Sequence, residues 1–326
     1  MLQSALLNRI LNDPSFVVRQ LHTSNGSAEF SDSQVIEAMS EIEKLAKAAY
    51  REDKSQSFEC AERLLHLIHT QSSFSIPFHP LLSRIWNELM AAKISSCLIK
   101  FGGTGPIGPE QMQTELKELL DLAEAQDHPV LDRLVDASSE EGLRVYTKNW
   151  FASTFGFNHQ MIALAQRAPE DVRQAVLKNL SDEYTGTPHH ELRERWLKRI
   201  GLSYEPAMIL KDRDYLIEAV SLQNFRTGIC QLGHAAFALG SFYSIEAIFP
   251  GVCRRLLRLR PKGFDDGSLE LFSNHVETDE DHAREWLENI TLASLTPKER
   301  GFVVDGAKCQ MKLRSAMFSK LGKRFE

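Results

Sequence analysis

The sequence predicts an all-α helical bundle, and three observations support this. Nearly every segment with a regular hydrophobic pattern has apolar residues at steps of three and four, the spacing of an amphipathic helix. Helix-start signals precede several of these segments, at Pro109, Pro169 and Pro297. The sequence contains no row of alternating β-branched residues bounded by turns, which argues against a sheet.

Two segments near the N-terminus have this helical spacing. Apolar residues recur at steps of three and four from Val35 to Ala49, and the run from Pro80 to Phe101 has the same pattern. At the other end of the chain, Thr296 and Glu299 form a capping box before an amphipathic run that reaches the C-terminus. We therefore expect helices along the whole length of the chain.

The segment FGGTGPIGPE contains the spacing GxGxxG at Gly103, Gly105 and Gly108. In a dinucleotide-binding protein this motif follows a strand and opens a helix. Here a helical run precedes it, Pro106 removes one backbone N–H, and no strand–helix–strand unit follows. We interpret the segment as a linker that divides an N-terminal helical extension, residues 1–108, from the main domain, residues 109–326.

Composition narrows the class of protein. With 326 residues and a formal net charge of -6, the chain can bury a full core and offers no electrostatic reason to bind nucleic acid. Its five cysteines are scattered, which is typical of reduced thiols. The N-terminus MLQSALLNRILNDPS lacks the apolar core of a signal peptide, and Thr227 to Ile245 is interpreted as a buried helix. We expect a soluble cytoplasmic protein with no membrane partner.

One carboxylate lies in an otherwise uncharged helical run. Glu246 is the only formally charged side chain between His234 and Phe249. A buried carboxylate without a partner costs about 3–5 kcal/mol, so Glu246 must face water, be neutralised or meet a cation. Taken alone, an exposed position near the end of the helix explains it equally well.

A second segment, DEYTGTPHHELRERWL, begins at Asp182. Glu183 ends one helix, and His189 and His190 open the next, after Pro188 has forced a turn. Such a turn can bring a carboxylate and an imidazole seven positions apart towards one point. Two histidines exposed at a helix N-terminus are the alternative.

The third segment is HVETDEDHAREWLENI. On a helix His275, Asp279 and His282 lie within about 60° of arc, because residues three and four apart are neighbours on one face. The remaining acidic residues point elsewhere, so this helix predicts one solvated face and one face of imidazoles and a carboxylate. Helical bundles build di-iron and di-manganese sites from such side chains.

Together these residues resemble the ligand set of the haem-oxygenase-like di-iron oxidases and oxygenases. The family has a Glu and a His seven apart, a lone Glu on the next core helix, and H-x3-D-x2-H on a third. The corresponding residues are Glu183, His190, Glu246, His275, Asp279 and His282. The resemblance covers roughly residues 115 to 320.

The resemblance implies a haem-oxygenase-like up-and-down helical bundle with an N-terminal helical extension. It implies that these six residues bind two iron ions and that O2 is the co-substrate. It also implies that an external reductant supplies electrons and that the chain forms a homodimer. The reactions of the family include N-oxygenation, C–H cleavage or desaturation, and oxidative decarboxylation, commonly of amino acids or their derivatives in biosynthesis. The assignment of each ligand to one iron stays open at this point.

A substrate with a carboxylate would need a cationic side chain to bind it. Lys211, Arg213 and Arg226 are candidates for this role, and the sequence does not rank them. Two alternatives to the di-iron enzyme remain open. Metal-independent enzymes of the same fold, thiaminase-like hydrolases or cofactorless oxidases, would not need all six residues. A non-catalytic helical interaction protein would use its N-terminal helices as the partner surface and would bind no transition metal tightly.

Overall fold

A computed structural model describes the chain over residues 32–72, 80–185, 187–203, 209, 212–232 and 235–326. Within these ranges the chain forms helices joined by turns, and no strand occurs. The all-α class predicted from the sequence is therefore confirmed. The signal-peptide prediction concerns residues outside the described ranges.

The described chain divides into two compact units on either side of the Cys97–Leu98 bond. The first unit contains α1 (Asp32–Ala46), continued by a π-helical turn, then α2 (Ser55–Ser72) and most of α3 (Pro80–Phe101). Apolar side chains such as Ile42, Leu64 and Leu89 are fully buried in it. Ile42 and Leu89 lie in the two segments whose helical spacing the sequence predicts.

The second unit contains the C-terminal residues of α3 and nine further helices among the described residues. These are α4 (Pro109–Ala137), α5 (Glu140–Thr154), α6 (Phe157–Ala165), α7 (Glu170–Asp182), α8 (His189–Arg199), α9 (Ile217–Gln231), α10 (Ala235–Leu256), α11 (Asp266–Leu292) and α12 (Pro297–Arg324). The helix α10 packs against α4, α11 and α12, and α11 also packs against α7 and α8. The long helices α10 and α11 therefore pass through the part of the unit where the predicted ligands meet.

The predicted helix starts are largely confirmed. Pro109 and Pro297 lie in the first turn of α4 and α12. In the capping box of α12, the Thr296 side chain accepts from the Glu299 N–H and the Glu299 side chain accepts from the Thr296 N–H. Pro169, in contrast, is the residue before α7 and has an extended backbone, with ψ of 147°. At that position its ring still presets the entry of the chain into the helix.

The uncharged stretch from Thr227 to Ile245 was predicted as one buried helix, and the structure divides it between α9 and α10. From Ala235 to Lys262 the chain is long and apolar enough to span a membrane, but 89% of its most apolar window is buried inside the protein. Such burial is typical of a core helix.

The linker around the three glycines is held by α12. The Thr104 N–H donates to the Asp305 carboxylate at 3.0 Å, and the Ile107 N–H donates to the Pro297 carbonyl at 3.0 Å. These bonds assign the segment to the second unit, so that the compact units separate at residue 97, whereas the sequence analysis placed the boundary after residue 108.

Two glycines allow α10 and α12 to approach closely. A Cβ atom at Gly240 would lie 1.7 Å from the Val303 carbonyl oxygen, and one at Gly306 would lie 1.9 Å from the Phe237 carbonyl oxygen. Both distances are far inside van der Waals contact with backbone, which a side-chain rotation cannot relieve. Glycine is therefore required at both positions to set the distance between these helices.

We predict that Gly306→Ala lowers the free energy of unfolding by at least about 1–3 kcal/mol, because the added methyl group forces the helices apart. Chemical denaturation followed by circular dichroism measures the change. Gly105→Ala is the control, since a Cβ there meets no atom within 4 Å. Equal stability of Gly306→Ala and the wild type would contradict the close approach of α10 and α12.

Candidate metal centre

The helix α11 carries three of the predicted ligands on its inner face. His275, Asp279 and His282 are exposed by only 7%, 6% and 5%, so the narrow stripe predicted from the sequence faces the core. The helix begins where the Asp265 side chain accepts from the Ser268 N–H, and this cap fixes its first turn. The stripe is thereby held at a defined height against α10 and α7.

One group of potential ligands combines α10 and α11. One donor atom from each of Glu246, Asp279 and His282 lies within 4.8 Å of the other two. The His282 Nδ1 atom is 3.5 Å from a Glu246 carboxylate oxygen and 3.8 Å from an Asp279 oxygen. Glu246 is buried, so the exposed position that the sequence left open is excluded.

A second group combines the α7–α8 turn with α11. Donor atoms of Glu183, His189 and His275 lie within 4.8 Å of one another. The His189 Nδ1 atom is 2.9 Å from a Glu183 oxygen, and the His189 and His275 rings are 4.5 Å apart between centroids. The turn after α7 therefore brings a carboxylate and an imidazole together, as the sequence indicated.

The histidine in this group is not the one predicted. His190 is exposed, whereas the adjacent His189 points towards Glu183. The helix α8 begins at His189, whose N–H donates to the Glu183 carbonyl at 3.3 Å. Consecutive residues on a helix point about 100° apart, so only one of the two imidazoles can face the core. The sequence spacing predicts His190 as the ligand, and the structure places His189 beside Glu183.

Two of the histidines are oriented by partners behind them. The Nδ1–H of His275 donates to the Leu271 carbonyl at 2.6 Å, and the Nε2–H of His282 donates to the Asp182 carboxylate at 2.9 Å. Each bond occupies one ring nitrogen and leaves the other directed at the ligand group. Metal-binding histidines are held in this way. Asp182 was missed by the sequence reasoning, although it immediately precedes Glu183.

The donor atoms fit a metal ion. His189 Nδ1 and His282 Nδ1 are buried, and neither makes a hydrogen bond of regular geometry in the described part of the chain, although carboxylate oxygens lie 2.9 Å and 3.5 Å away. Buried polar atoms are normally satisfied, so two such nitrogens beside carboxylates indicate a missing cationic partner. Carboxylate and imidazole ligands suit divalent iron, manganese and zinc.

The electrostatics of the two groups agree with this fit. Burial raises the pKa of Asp279 well above its ordinary value, and the neighbouring Glu246 and Glu183 carboxylates raise it further. Burial and the adjacent His189 lower the pKa of His275 to about 4, so this imidazole is neutral at pH 7, as a metal ligand must be. Divalent cations would relieve the repulsion between the buried carboxylates.

Both groups face one cavity of about 50 Å³. Its walls contain aromatic and apolar side chains beside four of the potential ligands and one arginine. The lining residues are Trp150, Thr154, Phe157, Glu183, Arg193, Ile245, Glu246, Phe249, His275 and Asp279. A small molecule in this cavity would therefore lie directly against both groups.

The sequence pattern of the family described as iron-containing redox enzymes matches residues 144–315, which is just over half of the chain. The matched range contains both ligand groups. The chain belongs to this family. Membership confirms the resemblance drawn from the residues and indicates that the metal is iron.

Similar proteins include three enzymes named 4-aminobenzoate synthase. The chain is 27% identical to that of Chlamydia pneumoniae over 191 residues, covering 56% of this chain and 83% of the relative. It is 25% identical to that of Chlamydia trachomatis serovar D and 26% identical to that of Chlamydia muridarum, over 45% of this chain. In these two matches the chain spans just under two thirds of the relatives' length, 64% and 63%.

Of the three cations that the sequence offers for substrate binding, the two that the structure describes, Arg213 and Arg226, do not line the cavity. Lys211 lies outside the described residues, and Arg213 is exposed. Arg226 is 2% exposed, and burial lowers its pKa to about 9. The cation that reaches the cavity is Arg193, which the sequence reasoning did not select.

We predict that His189→Ala weakens Fe(II) binding by at least about tenfold to a hundredfold, since even outer partners of a metal site have effects of that size. His190→Ala is the matched control and retains the wild-type affinity, because its side chain is exposed. Anaerobic titration with Fe(II), followed by elemental analysis of the desalted protein, measures both. The reverse result, with loss only in His190→Ala, would restore the ligand chosen from the sequence spacing.

Proposed function

We propose that this protein is a non-haem di-iron oxidase or oxygenase that uses O2 to oxidise a small amino-acid-derived substrate. The single observation that carries the proposal is the pair of ligand groups facing one cavity, one with Glu183, His189 and His275, the other with Glu246, Asp279 and His282. Each group offers carboxylate and imidazole donors for one ion. Membership of an iron-containing redox family supports iron as that ion.

Two iron ions held in this way would supply the reduction of O2 and the oxidising power for the substrate. The chain's own residues prepare the site for that chemistry. The Asp182 carboxylate accepts a hydrogen bond from the Nε2–H of His282, so that Nδ1 carries the lone pair that a metal ion needs. This Nδ1 atom lies 3.5 Å and 3.8 Å from oxygens of Glu246 and Asp279. The Leu271 carbonyl accepts in the same way from His275, through its opposite ring nitrogen.

The cavity wall limits access of water to the reacting atoms. Trp150 lies 5.3 Å from Phe249 between ring centroids, and Phe249 lies edge-on to His275 at 5.0 Å. Both aromatic residues are more than nine-tenths buried. A dry wall beside the ligands strengthens electrostatic interactions with a bound substrate and disfavours hydrolytic side reactions.

The relatives support the proposal that the substrate derives from an amino acid and that the enzyme acts in a biosynthetic pathway. Their name states that they form 4-aminobenzoate, a flat aromatic carboxylate. We propose a small amino-acid-derived substrate for this chain, and N-oxygenation, C–H cleavage and oxidative decarboxylation all remain candidate reactions. The metal-independent alternatives have no use for two complete ligand groups.

We predict that anaerobic loading with Fe(II) gives about two irons per chain, because each of the two groups offers three donors. Exposure of the loaded protein to O2 then produces a transient visible absorption band. Asp279→Asn reduces the iron content, and Asp281→Asn, which alters an exposed carboxylate on the same helix, does not. Absence of iron from the wild-type protein would leave only the metal-independent and non-catalytic functions.

A further inference from the structure

The cavity contains one positive charge among its described lining residues, the guanidinium of Arg193. Arg193 lies one turn after His189 on α8, so the two side chains share a face of that helix. The nearest carboxylate is Glu183, at 3.7 Å from Nη2, which is longer than a hydrogen bond. The donors of this guanidinium are therefore not used up by Glu183.

The side chain of Arg193 is 34% exposed, in contrast to the buried ligands. It therefore reaches both the cavity and the solvent. Trp150, Phe157 and Phe249 provide aromatic walls to the same cavity. A molecule entering there would meet flat apolar surfaces along its body and a guanidinium beside the entrance.

The balance of charges in the iron-loaded site assigns a role to this guanidinium, and this step rests on the proposed function. Asp182, Glu183, Glu246 and Asp279 carry about four negative charges, which two divalent ions would neutralise. Once Glu183 is bound to a metal ion, Arg193 is the unbalanced charge at the cavity. An unbalanced, partly desolvated guanidinium favours an anion, and its planar fork matches a carboxylate.

We propose that Arg193 anchors the carboxylate of the substrate, which is a small monoanionic acid with a flat apolar body. The carboxylate lies at the entrance against Arg193, and the rest of the molecule extends along the aromatic walls towards the ligand groups. This position selects acids over their neutral amides and orients the end remote from the carboxylate towards the reacting atoms. Arg193 is thus a specificity-determining residue of the site.

The test uses benzoate and benzamide as probes, a flat acid and its uncharged counterpart. Binding to the anaerobic Fe(II)-loaded protein is measured by titration calorimetry, with the iron content of each variant determined in parallel. The wild type binds benzoate about tenfold or more tightly than benzamide, because a charge-assisted pair replaces a neutral hydrogen bond. Arg193→Gln removes this preference and retains about two irons per chain.

Two controls accompany this variant. Arg195→Gln, which alters an exposed arginine of the same helix paired with Glu270, keeps the preference for benzoate. Arg193→Lys keeps part of it, because the charge remains while the planar fork is lost. If Arg193→Gln keeps both its iron and the full preference, the anion binds elsewhere and the anchor is overturned.

A loss of iron in Arg193→Gln would also overturn the anchor, since Arg193 would then act by holding Glu183 in place. Failure of the proposed function has a different signature, in which the wild-type protein itself binds no iron. In that case the positive charge of Arg193 would remain balanced by the metal-free carboxylates. It would not be free to bind a carboxylate, and the proposed anchor would fail together with the proposed function. The iron content of the wild type therefore separates the two failures.

Discussion

The burial of three carboxylates beside three imidazoles is the constraint on which the rest of the structure depends. Glu183, Glu246 and Asp279 come from three different segments of the chain and meet in the interior. Like charges in a medium of low dielectric constant repel strongly, and removing each from water costs several kcal/mol. The raised pKa of Asp279 reflects this cost. Divalent cations bound to these carboxylates would offset the cost, and metal binding would then stabilise the fold.

The helices around the centre serve this convergence. The glycines of α10 and α12 let the two backbones approach closely, and α10 carries Glu246. The turn between α7 and α8 reverses the chain, so that Glu183 and His189 reach α11 from one side while Asp182 supports His282 from behind.

Much of the fold and most of the ligand set could be predicted from the sequence. Helical periodicity identified the helices, and the spacing of His275, Asp279 and His282 fixed a common face, because both depend only on local geometry. The choice between His189 and His190 could not be made in this way. It depends on where α8 begins after Pro188, and element boundaries are set by tertiary contacts as much as by local signals.

Asp182 and Arg193 could not be predicted from the sequence, for a related reason. Acidic and basic residues near a helix end are usually solvated, and nothing in their sequence position distinguishes these two from their neighbours. The role of Asp182 arises from its contact with His282 on α11, a hundred residues later in the chain. The role of Arg193 arises from its position at the cavity. The sequence therefore predicts the potential metal ligands better than the residues behind them or at the cavity wall.

The most direct test of the central claim is to locate the iron. Crystals of the anaerobic Fe(II)-loaded protein are measured at the iron absorption edge, and anomalous difference density locates each ion. The account predicts two peaks, one within bonding distance of Glu183, His189 and His275 and one within bonding distance of Glu246, Asp279 and His282. A single peak, or iron bound away from these side chains, would contradict it.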